Sequence, residues 1–226
     1  YIHRVASEQR ALQDFIKDCR ADGAPEFQIT VPPGAAPLPG SVIDDRMIIK
    51  YIMPLAPNRN AQGLDIGAHP VRREAAERAM LTGDGCITGR IELVQDDEKV
   101  AGFLYLLPWY KRGMPTDTPQ QRTEALAGWV YMPMLGPDVF EDVVGSAHHE
   151  LEVSVFDGDP RKNHLIYRSL ATTREDKDVD SAALLKITPL QVGGRDWKAR
   201  IYASPDFKHA SRHSAWIIGV GGELLT

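Results

Sequence analysis

Two histidines one helical turn apart can chelate a metal, and His209-Ala-Ser-Arg-His213 has that spacing. A zinc protease also needs a glutamate beside the first histidine as general base; position 210 is Ala, so the stretch reads as a surface helix. His148-His149-Glu150 has no further ligand at metal-binding distance along the chain and reads as a solvated connection. Gly219-Val-Gly-Gly222 lacks the Lys-Ser/Thr pair that would hold a nucleotide phosphate, and no Gly-x-Ser-x-Gly elbow presents a serine nucleophile. Carboxylates are plentiful, but none is paired with another in a context that fixes acid/base geometry. The residues therefore nominate no catalytic group, no metal site and no cofactor.

What remains is binding chemistry. Tyr51, Phe103, Tyr105, Trp109, Trp129 and Tyr131 concentrate around predicted strands, and Asp65 stands just before a predicted helix. An apolar wall with a few oriented polar groups is the usual composition of a small-ligand pocket, and also of an ordinary sheet core. A carboxylate in that position either accepts from a ligand N–H, caps the helix that begins at Pro70, or pairs with Arg72 or Arg73.

The elements that must position these groups follow from periodicity. Val5 to Arg20 reads as an amphipathic helix ended by Asp22-Gly23, and Phe27 to Val31 as a short strand before the Pro/Gly-rich loop 32–40. Met47 to Leu55 is β-rich. Pro70 to Thr82 is helical, with Pro70 at its first position, Val71, Ala75 and Ala79 in register, Glu74 placed to pair with Arg78, and Gly83 as its stop. Cys86 to Leu93 and Val100 to Trp109 form a hairpin, the second strand continuously apolar and hence buried on both faces. Thr118 caps a helix to Ala127, followed by a strand over 128–133 and a helix over 137–144. A second set of strands, Leu151–Phe156, His164–Tyr167, Leu184–Gln191 and Trp197–Tyr202, completes the chain. Sheets with flanking helices, without βαβ alternation, make an α+β architecture.

The 226 residues, 43% hydrophobic and 25% charged, suit a folded protein with a sizeable core. A net charge of -5 without a dense cationic run excludes a nucleic-acid surface. Cys19 and Cys86 have no metal-site spacing and are expected as buried free thiols, with a disulfide between them as the alternative. The closing run Ala215-Trp-Ile-Ile-Gly-Val-Gly-Gly-Glu-Leu-Leu-Thr226 is too short to span a bilayer but has the composition of the head of a membrane helix.

Several stretches in register resemble the CHASE domain family: Ile49 to Asn58, Gly63-Leu-Asp65, His69-Pro-Val-Arg72, Ala79 to Gly83, Ile87-Thr88, Ile91-Glu-Leu93, Gly102 to Tyr110, the helix holding Arg122, and Gly128-Trp-Val-Tyr131. A weaker likeness extends to Ser204-Pro-Asp-Phe207. The resemblance implies an extracytoplasmic sensory module between two membrane helices, with two PAS-like subdomains, each an antiparallel sheet flanked by helices, after a long stalk helix that this chain lacks. It places a membrane-distal, ligand-binding subdomain at 1–147, a membrane-proximal one at 148–212, and the start of the second transmembrane helix at 213–226. It implies a non-catalytic domain, a small organic ligand of adenine-like or other chemistry, a homodimer tethered to the membrane, and a histidine kinase or diguanylate cyclase as cytoplasmic output.

By the same resemblance Asp65 bonds the ligand, as does backbone near Leu93, while Leu104 and Leu106 on the facing strand, with Tyr51, Trp129 and Tyr131, line the pocket. Leu106 stands where plant receptors carry a threonine, and Tyr131 and Met132 replace glycines. These departures point to a ligand other than cytokinin. A dimerisation or protein-interaction module with no small ligand is the alternative reading.

Overall fold

The computed structural model describes residues 1–36, 40–95, 98–145, 151–161, 164–169 and 185–203. The His148-His149 pair, Ser204–Phe207, the His209–His213 stretch and the expected membrane-helix start at 213–226 lie outside the described residues. Among the described residues no helix is long and apolar enough to cross a membrane.

The chain divides into two compact units, one formed by Tyr1–Ile91 with Phe103–Pro133, the other by Glu92–Gly102 with the residues from Met134 onward. In chain order the elements are β1 (Ile2–Val5), α1 (Gln9–Ala21), β2 (Arg46–Ile49), α2 (Leu55–Asn58), α3 (Pro70–Thr82), β3 (Cys86–Ile87), β4 (Ile91–Gln95), β5 (Glu98–Tyr110), α4 (Pro119–Ala125), β6 (Leu126–Leu135), α5 (Gly136–Gly145), β7 (Leu151–Asp157), β8 (Leu165–Arg168), β9 (Leu185–Val192) and β10 (Arg195–Ala203). Short 3-10 helices at Arg59–Ala61 and Ile66–Ala68 precede α3. The first sheet runs β2-β1-β6-β5-β3, with β4 paired to β5, and the second runs β8-β7-β10-β9. With β1 between β2 and β6, helices between β2 and β3, and antiparallel β1–β2, β1–β6 and β3–β5 pairs, the first sheet has the PAS arrangement. The architecture is α+β, as expected.

The two faces of the first sheet are covered by different helices. On one, Val5 and Ile48 pack with Phe15 and Cys19 of α1 and with Phe27, and His3 stacks flat on Phe15 at 5.3 Å. On the other lies α3, whose buried positions Ala75, Ala76 and Ala79 are small enough for its backbone to approach the strands. Trp129 Nε1 donates to the Ala76 carbonyl at 2.9 Å, and Tyr110 Oη donates to the Met80 carbonyl at 2.9 Å. Both donors would be orphaned without α3, which makes the helix and strands one packing unit. Gly128 lets β1 lie against β6: a Cβ there would sit 2.1 Å from the Ile2 carbonyl oxygen.

In the second unit a two-residue turn at Gly193-Gly194, with φ of 53° and 76°, joins β9 to β10. Both turn residues need left-handed backbone, and only glycine adopts it freely. Arg195 grips Asp157 through Nε at 2.8 Å and Nη2 at 3.0 Å, and Phe140 of α5 meets the rings of Tyr167 and Trp197.

Several boundaries differ from those read in the sequence. Ile2–Val5 is a strand, and α1 begins only at Gln9, because β1 is claimed by β2 and β6 on either side. The Phe27–Val31 stretch forms a single bridge, Thr30 to Leu64. Cys86–Leu93 is two strands broken at 88–90, where Thr88 Oγ1 replaces a ladder partner and accepts from Leu104 N at 2.9 Å. β5 is not buried on both faces throughout: Leu107 and Trp109 are 43% and 58% exposed.

Candidate functional site

Asp65 is wholly buried, and its two oxygens have separate tasks. Oδ1 accepts from Met47 N at 3.1 Å and Gly67 N at 3.0 Å; Oδ2 accepts from Arg46 Nη1 at 3.0 Å. It thus caps the 3-10 helix at Ile66–Ala68 and not α3, and its cation is Arg46 and neither Arg72 nor Arg73. Three donors converge on this one carboxylate, two of them fixed backbone groups and the third a guanidinium. Gly67 completes the arrangement: a Cβ there would meet Arg73 Nη2 and Met47 Cγ at 2.9 Å and Asp65 Oδ1 at 3.2 Å.

Beside this network opens a cleft of about 300 Å³ lined by Asp65, Arg46, Arg73, Gly67, Ser7 and Ser41, among others. Its wall is polar. Arg46 is the solvent-facing member of the pair, its side chain 40% exposed while that of Asp65 is 1% exposed.

The other sequence-derived residues do not all meet at this cleft. Leu104, Leu106 and Trp129 are buried at 4%, 0% and 0% exposure in the core beneath α3. Tyr131 follows Trp129 on the same face of β6. Leu93 lies in β4, within the second unit, where its side chain packs toward Gly102. Tyr51 is at the surface, 45% exposed, its hydroxyl on the Asp22 carboxylate and its ring stacked on Tyr1. Trp109 is also exposed. The two cysteines are free and buried.

Residues that the sequence did not nominate as ligand contacts stand on the first turn of α3. Arg72 and Arg73 are both buried, at 9% and 8% exposure. Arg73 is saturated: Nε donates to the Gly67 carbonyl at 2.6 Å, Nη1 to the Ile43 carbonyl at 2.7 Å and Glu77 Oε1 at 3.3 Å, and Nη2 to the Asp45 carbonyl at 3.0 Å. Arg72 is the reverse. Its Nε is buried without a hydrogen-bond partner, and among the described residues no carboxylate pairs with its guanidinium. Tyr131 Oη and His69 Nδ1 are likewise buried and unpartnered.

These three groups sense one another. Burial pulls the Arg72 guanidinium below its ordinary value, against the pull of the Tyr131 phenol. Burial pushes the Tyr131 phenol up, partly opposed by Arg72. Burial and the Arg72 charge together depress His69. Composition and periodicity do not separate Arg72 from Arg73: adjacent arginines near a helix start read alike, and it is the placement of the Ile43, Asp45 and Gly67 carbonyls and Glu77 that satisfies Arg73.

A comparison with curated proteins returned no match. A comparison with family models matched the CHASE domain over residues 1–167, a span that contains the whole first unit and the start of the second sheet. The PAS-ordered sheet and the extent of that match place this chain in the CHASE domain family, whose members are extracytoplasmic sensory modules and not catalytic domains.

Proposed function

We propose that this chain is the ligand-sensing part of a membrane-tethered receptor, and that a small organic molecule binds in its first unit and biases a cytoplasmic output module, a histidine kinase or a diguanylate cyclase. The subdomain at 1–147 is the ligand-holding, membrane-distal one, the subdomain at 148–212 the membrane-proximal one, and residues 213–226 lead into the second membrane helix. Family membership across the entire first unit carries the reading. The polar cleft beside Asp65 supports it, since Asp65 matches the family's ligand-bonding aspartate and is covered by the partly exposed Arg46. Coupling to output requires different ligand affinity in two conformations of the receptor.

The test is a thermal-shift screen of the purified domain against purines, amines and small metabolites, because a ligand of the folded state raises its melting temperature by mass action. Asp65→Asn is the variant to run beside it: the amide oxygen still serves Met47 N and Gly67 N, so the fold is kept while the charge is lost. Hits that weaken in Asp65→Asn support a site at this carboxylate. Hits indifferent to it move the ligand elsewhere in the domain, and a screen without hits removes the sensing reading.

Interaction without a small ligand is favoured by one observation. Leu107 and Trp109 on β5, and Val130 and Met132 on β6, are each 43–58% exposed and belong to neighbouring strands, pointing away from α3. A homodimer formed on this face gives a concentration-dependent mass in sedimentation, which Trp109→Ser abolishes; a monomer at all concentrations rejects it.

A further inference from the structure

The first turn of α3 holds a buried cation that no carboxylate among the described residues neutralises. A guanidinium is taken out of water only when acceptors replace its hydration, and the adjacent Arg73 has four such acceptors within 3.3 Å. Arg72, equally buried, has no carboxylate among the described residues, and its Nε has no acceptor. The first unit's only residues beyond the described set, Pro37, Leu38 and Pro39, bring no acid. Two further polar atoms, Tyr131 Oη and His69 Nδ1, are buried and unpartnered in the same neighbourhood. Tyr131 follows Trp129 by one pleat and Arg72 precedes Ala76 by one helical turn. The Trp129-to-Ala76 hydrogen bond therefore sets Tyr131 and Arg72 against each other one step along.

Resting on the sensing reading above, we propose that Arg72 and Tyr131 form a second recognition point in the first unit, outside the lining of the Asp65 cleft, and that it takes a ligand carboxylate. The guanidinium fork presents two parallel N–H donors that match the two oxygens of a carboxylate, and the phenol O–H adds a third donor. Arg72, whose guanidinium pairs with no carboxylate among the described residues, suits one negative charge. A phosphate dianion would call for a second cation, and the neighbouring candidates are occupied: Arg73 as described, Arg78 by Glu74 and by the Ile87 carbonyl. Arg72 is nearly covered while Tyr131 and His69 are half-buried, so the site is reached at its rim. His69, at the N-cap of α3, lies at that rim and accepts or donates to the ligand according to its tautomer.

The experiment titrates the whole chain with acetate and benzoate, and with the neutral isosteres acetamide and benzamide, at constant ionic strength. It reads the melting temperature and the NMR resonance of the Arg72 Nε–H. Acetate adds only a methyl group to the carboxylate and so makes little steric demand on the pocket. The carboxylates are expected to raise the melting temperature and move the Arg72 resonance, and the amides to do neither. Tyr131→Phe weakens binding about tenfold, the worth of one hydrogen bond to a charged acceptor. Arg72→Met abolishes binding and melts above the wild type when no acid is present, because it removes an unpaired buried charge.

Three results overturn the proposal: Arg72→Met melting well below the wild type, so that the guanidinium is already satisfied; carboxylate binding that survives Arg72→Met; or an Arg72 resonance unmoved by about 100 mM acetate, enough to fill even a weak millimolar site. A neutral compound that stabilises wild type and Arg72→Met alike overturns the carboxylate assignment and leaves sensing standing. Acetate bound at Arg72 with no change in output of the intact receptor supports the site and removes the sensing reading.

Discussion

Arg72 and Arg73 are neighbours on one helical turn, buried to within a percentage point of each other, and opposite in satisfaction: every face of the Arg73 guanidinium meets an acceptor, while Arg72 Nε meets none. Arg73 fastens the segment before β2 to α3 through the Ile43 and Asp45 carbonyls, and the 3-10 helix at Ile66–Ala68 to α3 through the Gly67 carbonyl. Arg72 contributes nothing comparable to the fold, which leaves it available to a partner from outside.

Arg73→Met is therefore expected to be among the most damaging single changes in the first unit. It strands three backbone carbonyls and leaves Glu77, 8% exposed, holding only Val42 N. Breaking a buried charge pair in this way costs about 3–5 kcal/mol. Urea denaturation followed by tryptophan fluorescence measures it, and a loss below about 1 kcal/mol removes the distinction drawn between the two arginines.

Asp65 gives a second, graded pair of variants. Asp65→Ala withdraws the acceptor from two buried backbone N–H groups, at about 1–3 kcal/mol for each donor left unmet. Asp65→Asn loses only the ion pair to the partly exposed Arg46, worth about 1 kcal/mol or less in that setting. Equal denaturation midpoints for the two variants would mean that the capping bonds carry no stability.

Legibility divided along the same line as these energies. α3 was read to the residue because both of its ends are local chemistry: Pro70 at the first position, and Gly83 in left-handed backbone at φ 83°. The capped start of α4 at Thr118 was read for the same reason, and so was the β9–β10 hairpin around its glycines. β1 was lost because Ile-His-Arg-Val has no strand signature, and its partners Ile49 and Trp129 come from distant parts of the chain. Asp65 could be singled out, but not its partners, since Arg46 and Met47 reach it through the Ile48–Asp65 bridge and not through any sequence spacing. The carboxylate was visible before its environment was.

The cap on α4 is a direct check on the local part of that reading. Thr118 Oγ1 accepts from Gln121 N at 3.2 Å while Gln121 Oε1 accepts from Thr118 N at 3.1 Å, a reciprocal box at an exposed helix start. Thr118→Ala is expected to lower stability by about 1 kcal/mol, and Thr118→Ser by almost nothing. Arg122 on the same helix reaches the Leu81 carbonyl at 2.7 Å, so fraying of α4 also loosens the end of α3. Hydrogen exchange should be faster at both places in Thr118→Ala; faster exchange in α4 alone would show that the two helix ends are independent.

The histidines set the response to acid. His3 is held below its ordinary value by burial first and by the Lys50 and Lys111 charges after it, with Tyr1 Oη at 2.9 Å from its Nδ1; His69 is depressed by burial and then by Arg72. For such a group the unfolded chain takes up the proton first. Its contribution is complete above the unfolded value of about 6.5 and is lost as pH falls from there through the folded value. The exposed carboxylates Asp22 and Asp159 are lowered by their hydrogen-bonded partners, Tyr51 and Lys198 respectively, and lose their contribution only below the ordinary carboxylate range, in a separate window. The melting temperature is therefore expected to drop between pH 7 and pH 5, and to drop less in a His3→Gln, His69→Gln double variant. An equal slope in that variant would assign the acid sensitivity to other groups. A carboxylate bound at Arg72 offsets the charge that depresses His69, so saturating acetate should flatten the wild-type slope and leave that of Arg72→Met unchanged.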